Sequence, residues 1–229
     1  MLKILVIADV HGEFEKFSKI IESLMSQDFD FVLCPGDFTD MYNVPEGYSQ
    51  FDIAEIVIQK LLSLNKPVFC VPGNHDPYEL IELFEEYGVN LHEKVKKANE
   101  KLMFIGFGGA ATPFNTKFEP TEEEIEKALE KQLIHIKGKK FILLTHNPPF
   151  GTKLDKIQTG EHVGSTAVRK FIEKEKPMLA ISAHIHEANG IDKFGQTTLF
   201  YPGPSYEGFY GIVEIDENIG EVKCIMKKV

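Results

Sequence analysis

The feature that most constrains this chain is a set of short apolar runs, each cut off by the same kind of polar residue. Leu2 to Ala8 is an apolar run broken only by Lys3 and ends in Asp9-Val10-His11-Gly12. Phe31 to Cys34 ends in Pro35-Gly36-Asp37, and Pro67 to Val71 ends in Pro72-Gly73-Asn74-His75-Asp76. Phe141 to Thr145 ends in His146-Asn147-Pro148-Pro149, and Met178 to Ala183 ends in His184-Ile185-His186. Continuous apolar runs of this length are the pattern of strands covered on both faces.

Between the runs lie amphipathic stretches with helical spacing. Phe14, Phe17, Ile20, Ile21 and Leu24 mark the first; Ile53, Ile56, Val57 and Leu61 the second; Leu80, Ile81, Phe84 and Tyr87 the third, stopped by Gly88. Pro77 suits a first helical turn and Asp76 a helix N-cap, so the third helix is expected to begin there. This β-α-β-α-β-α order implies parallel strands with helical crossovers. Further on, Leu102 to Phe107 reads as a strand, Thr121 and Glu124 as a capping box opening a helix through Leu133, and Thr166 to Lys174 as a helix. The tail, with strands at Thr197–Tyr201, Gly211–Ile215 and Glu221–Met226, has no helical pattern. Such a chain forms two packed sheets with helices outside. Its 229 residues, 43% hydrophobic, suffice for one sizeable core, so residues 1–229 are read as a single domain.

Strand ends are where α/β folds display chemistry. In D-x-H and H-x-H the extended backbone turns both side chains to the same side, so each pair can grip one metal ion or two adjacent ones. Taken singly, each motif is more often a solvated turn. Five apolar runs ending in metal-ligand residue types are not independent decorations. Carboxylate, imidazole and amide oxygen together suit borderline divalent ions such as Mn, Fe, Zn, Ni or Co.

In this order, Asp9-x-His11, Gly36-Asp37-x-x-Asp40, Gly73-Asn74-His75-Asp76, His146 and His184-x-His186 resemble the calcineurin-like metallophosphoesterases, in particular the small prokaryotic phosphoesterases. The resemblance runs from Leu2 to Ser205 and takes in Gly160–Ser165 and Tyr201–Ser205. One departure is Ala183, where many members carry Gly. The resemblance implies a four-layer α-β-β-α sandwich of two mixed sheets, an α/β (α+β) fold of the metallo-dependent phosphatase type. It also implies two divalent metal ions, with Mn the first choice. Asp9, His11, Asp37 and His186 would hold one ion and Asp37, Asn74, His146 and His184 the other, with Asp37 bridging. The implied reaction is hydrolysis of a phosphomonoester or phosphodiester by a metal-bridging hydroxide. His75 is the candidate for protonating the leaving oxygen; Asp76 is read as its partner or as the N-cap.

Charge fits this. Two ions less the charges of Asp9 and Asp37 leave the cluster about +2, so a phosphate anion is attracted although the chain carries a net −10. The acidic surface argues against a grip on a nucleic-acid backbone, so nucleic acid is an unlikely partner and a small phosphorylated molecule the expected one. A Mn-dependent nuclease and a non-catalytic scaffold on the same fold are the competing readings; the intact ligand set favours an enzyme. Asp40 reads equally as a group bonded to a ligand histidine or as a loop acid. His92 and His135 read as surface residues, His162 as a solvated loop histidine and Ser205 as a turn serine. Lys153 and Arg169, the only arginine, are conceivable phosphate contacts. Cys34, Cys70 and Cys224 read as buried thiols of a reducing compartment. No apolar run reaches bilayer length, so no signal peptide or transmembrane helix is expected, and the expected location is the cytoplasm.

Overall fold

The computed structural model describes all residues, Met1–Val229. Its elements in chain order are β1 (Leu2–Val6), α1 (Phe14–Leu24), β2 (Phe31–Cys34), α2 (Gln50–Leu62), β3 (Val68–Cys70), α3 (Leu80–Glu86), β4 (Val95–Lys97), β5 (Leu102–Phe107), α4 (Glu122–Ile136), β6 (Lys140–Thr145), α5 (Thr166–Glu175), β7 (Leu179–Ile181), β8 (Gly190–Phe194), β9 (Thr197–Tyr201), β10 (Phe209–Asp216) and β11 (Glu221–Lys228). The strands form two mixed sheets, ordered β11-β10-β1-β2-β3 and β4-β5-β6-β7-β9-β8.

Period-2 alternation within the apolar runs decides the layers. Leu2, Ile4 and Val6 of β1 face Phe104, Ile142, Leu144 and Phe200 of the other sheet in the central core. Leu5 and Ile7 face the opposite way and pack with Phe17, Ile20 and Leu24 of α1 and with Val57, Ile58 and Leu61 of α2. Ile105, Leu143 and Leu199 do the same on the second sheet, against Ile125 and Leu129 of α4 and Val168 and Ile172 of α5. The expected four-layer α-β-β-α sandwich is therefore present. No helix is long and apolar enough to cross a membrane.

β1, β2 and β3 pair in parallel in one sheet, and β5, β6, β7 and β9 in the other. All their carboxyl ends consequently lie along one edge of the sandwich. Loop backbones knit that edge: Asp9 N donates to Gly36 O at 3.1 Å, His11 N to Asp37 O at 2.9 Å, Gly109 N to Pro72 O at 2.9 Å and Ala183 N to His146 O at 3.0 Å.

The structure departs from the sequence reading in several places. β4 and β8 were not expected. Both are edge strands, and the adjacent polar residues Asp192 and Lys193 in mid-strand hide β8 among loop-like residues. Helix α3 starts at Leu80 with Glu79 as its cap, and Pro77 opens a preceding turn, so Asp76 is not the N-cap. His92 is buried, not on the surface; it bridges to Gly106 and accepts a hydrogen bond from Gly108 N at 2.9 Å through Nδ1. Burial pushes its pKa down to about 4. Cys34 and Cys70 are buried free thiols, whereas Cys224, on the edge strand β11, is only partly covered.

Candidate metal centre

Asp9 and His11 leave the end of β1, Asp37 the end of β2, Asn74 and His75 the end of β3, His146 the end of β6, and His184 and His186 the end of β7. The structure brings all of them to one place. Ligand-capable atoms of Asp9, His11, Asp37 and His186 lie within 4.8 Å of one another, as do those of Asp37, His146 and His184. Asp37 is common to both groups.

Backbone strain marks the same positions. Asp9 (φ 51°), His11 (φ 51°), Asp37 (φ 53°) and His184 (φ 78°) all adopt the left-handed region that side-chain-bearing residues avoid. Each such residue costs on the order of 1–3 kcal/mol and persists only where the surroundings enforce it, typically at working sites. The turns also fit only because two glycines lie between them. A Cβ on Gly36 would stand 2.5 Å from Gly73 N and 2.8 Å from His146 Nδ1, and one on Gly73 would stand 2.5 Å from Asp37 Cγ.

Hydrogen bonds from outside the cluster turn ligand atoms of Asp9, Asp37, Asn74, His146 and His186 inward. Asp37 Oδ1 accepts from His75 N at 2.9 Å. Its Oδ2 then lies 3.5 Å from His11 Nε2 and 3.3 Å from His146 Nε2. Asp9 Oδ2 accepts from Tyr201 OH at 2.6 Å, and Asp9 Oδ1 faces His186 Nε2 at 3.8 Å. His146 Nδ1 lies 2.7 Å from Pro35 O and, facing an acceptor, must donate to it. A neutral His146 then presents Nε2 as a lone pair, yet its neighbours are Asn74 Oδ1 at 2.9 Å and Asp37 Oδ2. Asn74 Nδ2 is turned away, donating to Thr116 Oγ1 at 3.2 Å. His11 Nε2 and His186 Nε2 face each other at 3.2 Å, with His186 Nδ1 3.0 Å from Tyr206 OH. Acceptors converging on acceptors are satisfied by cations, so the donor set fits divalent metal.

Titration behaviour agrees. Burial opposes charge on Asp37, but the neighbouring His146 and His11 outweigh it and hold its carboxyl well below the usual range. Asp9 is likewise held low, chiefly by His186 against the cost of burial. Burial pushes His184 down to about 3 and also lowers His11, keeping both as neutral imidazoles, the form that binds metal. His146 goes the other way, up to about 9, because Asp37 more than offsets its burial; a proton there takes the place of a cation.

His75 stands beside the cluster, edge-on to the His11 ring at a centroid distance of 4.9 Å. Its Nδ1 lies 3.2 Å from Asp40 Oδ1, so Asp40 and not Asp76 is its carboxylate partner. Asp76 is fully buried and accepts from Gly73 N at 2.8 Å, Phe38 N at 3.1 Å and Thr39 N at 3.0 Å. Burial and the nearby Asp37 raise its pKa to about 6 despite these donors. It clamps the β2 and β3 turns together.

Sequence reasoning missed Tyr201 and Tyr206. Their hydroxyls orient Asp9 and His186, and Tyr201-Pro202-Gly203-Pro204-Ser205 gave the only hint. Ser205, fully buried, contacts Asp9 O at 3.4 Å. His162 is tied by Nδ1 to Asp155 Oδ1 at 2.8 Å; that buried carboxylate also accepts from Gly151, Thr152 and Gly164 N and orders the 151–164 loop. Arg169 is spent on Glu173, the Phe150 carbonyl and the face of Phe194, so it is not a phosphate contact. Lys153 is itself exposed, at the start of a single-turn helix whose other two residues, Leu154 and Asp155, are buried.

The chain is 35% identical over 210 residues to an uncharacterized protein of Methanocaldococcus jannaschii, covering 89% of this chain and 88% of that one. It is 26% identical over 166 residues, 70% of this chain, to a probable glycerophosphodiester phosphodiesterase of Arcobacter nitrofigilis, and spans 58% of that relative. Among solved structures it shares its fold with a dimetal phosphatase of Danio rerio (TM-score 0.70, 12% identity, 99% and 95% of the two chains). It also shares it with an archaeal phosphodiesterase (TM-score 0.56, 15% identity, 99% and 100% of the two chains). Residues 2–188 match the calcineurin-like phosphoesterase family. With that match spanning the convergent aspartate and histidine cluster, the chain belongs to the calcineurin-like phosphoesterases.

Proposed function

We propose that residues 1–229 act as one catalytic domain, a dinuclear metal-dependent hydrolase of phosphoesters. The observation that carries this is Asp37 Oδ2, set between His11 Nε2 and His146 Nε2 at 3.5 and 3.3 Å while Oδ1 is held by His75 N. Asp9, His11, Asp37 and His186 would hold one ion, and Asp37, Asn74, His146 and His184 the other. Mn is the first candidate; Fe, Zn, Ni and Co fit the same donors. When bound, the ions supply charge neutralisation at the phosphoryl oxygens and a water of lowered pKa.

The chain's own residues do the remaining work. Asp9 and Asp37, ionised and fixed by Tyr201 and by the His75 amide, preset the charge of the site. In hydrolysis a water oxygen bonds to phosphorus, the P–O ester bond breaks, and a proton must reach the departing oxygen. His75 is placed to deliver it: Asp40 fixes the ring through Nδ1, which leaves Nε2 as the nitrogen free to act. Asp76 has a positioning part, holding the turns that carry Asp37 and His75. The substrate is a small phosphorylated molecule. The test is to strip the protein with chelator, restore Mn, and follow p-nitrophenyl phosphate and bis(p-nitrophenyl) phosphate. Hydrolysis that returns with Mn and is lost in Asp37→Asn is expected; no hydrolysis of either compound with any of these ions would overturn the proposal.

A further inference from the structure

Above the metal-ligating edge lies a cavity of about 860 Å³, in which apolar side chains stand among neutral polar ones such as Thr112, Thr116, Gln158 and Thr159. The floor is Asp37, Asn74, His75, His184 and His186. The walls include Tyr42, Phe114, Ile157 and Val163, which come from three separate loops. Tyr42 is 66% exposed and Phe114 70%, and phenylalanine is a residue type that is mostly buried. Tyr42 stands edge-on to His75 at a centroid distance of 5.6 Å. Phe114 also lines the cavity, on the loop whose Thr116 accepts from Asn74 Nδ2. Apolar side chains thus border the cavity both beside His75 and on the loop bonded to Asn74.

The charges of the cavity are equally one-sided. No lysine or arginine lines it, and Glu187 does. The adjoining opening beside His75 and His186 adds Glu13 and Asp40, again without a basic residue. A phosphomonoester dianion would want cationic side chains on the oxygens that the metal site leaves over. A phosphodiester carries one charge and two ester groups, and it meets this lining better on both counts.

Resting on the metallophosphoesterase reading above, we propose that the substrate is a phosphodiester bearing at least one aromatic or similarly apolar ester group. That group is received by Phe114, Ile157 and Val163, while Glu187 disfavours a second phosphate charge. Tyr42 borders the leaving group over His75.

The test uses the full-length, Mn-restored protein and three compounds with the same leaving group: bis(p-nitrophenyl) phosphate, ethyl p-nitrophenyl phosphate and p-nitrophenyl phosphate. The expected order of kcat/KM is aryl diester, alkyl diester, monoester, with the aryl diester ahead of the alkyl by about tenfold, the scale on which one apolar pocket contact discriminates. Phe114→Ala should shrink the aryl-to-alkyl ratio severalfold, and Glu187→Gln should raise the monoester relative to the diesters. Phe114 and Glu187 are both exposed, so the variants retain the fold, and circular dichroism checks this. Hydrolysis with the monoester preferred, or an aryl-to-alkyl ratio unmoved by Phe114→Ala, overturns this proposal and leaves the hydrolase reading standing. No hydrolysis of any compound removes both.

Discussion

Replacing Gly73 by Ala perturbs the site with a single carbon. The added Cβ would lie 2.5 Å from Asp37 Cγ and closer still to Asp37 Oδ1 and the Asp37 backbone N, where ordinary contact begins at 3.4 Å. The shortfall of about 0.9 Å from Cγ cannot be relieved by a rotamer, because the Asp37 backbone is among the obstructing atoms. The turn carrying Gly73 or the turn carrying Asp37 must move. Asp76 bonds Gly73 N, and His75 N bonds Asp37 Oδ1, so the displacement reaches the shared carboxylate and His75 together. Constellations of this kind tolerate about 0.5 Å, and a misplacement of about 1 Å costs on the order of a hundredfold in rate. Overpacking of this type costs about 1–3 kcal/mol of stability. The control is Gly138→Ala: Gly138 has φ +78° but nothing within 4 Å of a new Cβ, so it costs about 1–2 kcal/mol of backbone strain without touching the site. Thermal melts, Mn titration and bis(p-nitrophenyl) phosphate turnover are measured on both. The expected result is comparable destabilisation, with activity and metal affinity lost only in Gly73→Ala. Wild-type turnover with full metal occupancy in Gly73→Ala would refute the reasoning that these turns fix Asp37.

Three further outcomes are expected. Tyr201→Phe deletes a fully buried hydroxyl that donates to Asp9 Oδ2 at 2.6 Å; Mn affinity should fall by about 10–100-fold, the usual effect of losing a ligand's hydrogen-bond partner, and calorimetric titration reads it. His75→Gln should leave Mn affinity near wild type while slowing esters of poor alcohol leaving groups far more than those of p-nitrophenol, and a leaving-group series checks the slope. His92 is held neutral by burial, with its pKa down at about 4 from 6.5. Its unfolded form binds the extra proton across that interval, so the stability it contributes is complete above pH 6.5 and is lost as pH falls towards 4, by about 3 kcal/mol in all. Urea unfolding from pH 7 to pH 4 should therefore show a smaller acid loss in His92→Gln than in the wild-type chain.

The ligand set was readable because it sits where apolar runs stop, and the end of a parallel strand covered on both faces is a sharp boundary in sequence. Asp9 and His146 follow such runs directly, and Asp37 and Asn74 follow theirs after a Pro-Gly pair. Partnerships across the sheets were not readable. Asp76 looks like a helix cap because Pro77 follows it, but the amides it satisfies are Gly73 N behind it and Phe38 N and Thr39 N on the neighbouring turn. Tyr201 looked like one more strand residue, since nothing local says that its hydroxyl meets a carboxylate 192 positions away. His92 was taken for a surface residue because its covering, from Phe107 and Phe118, comes from a strand and a loop far along the chain. Edge strands β4 and β8 lack the double-sided apolar signature that exposed the others. The three loops that wall the cavity carry no periodicity, and their apolar tips acquire meaning only once the fold sets them around one opening.

The central claim is that residues from five strand ends enclose two cations through a shared Asp37. Titrating chelator-stripped protein with Mn while following both heat and bis(p-nitrophenyl) phosphate hydrolysis tests it most directly. Two ions should bind per chain, with hydrolysis complete only when the second has bound, and that stoichiometry should be lost in Asp37→Asn. Binding of no Mn, or full hydrolysis with a single ion bound, would contradict it.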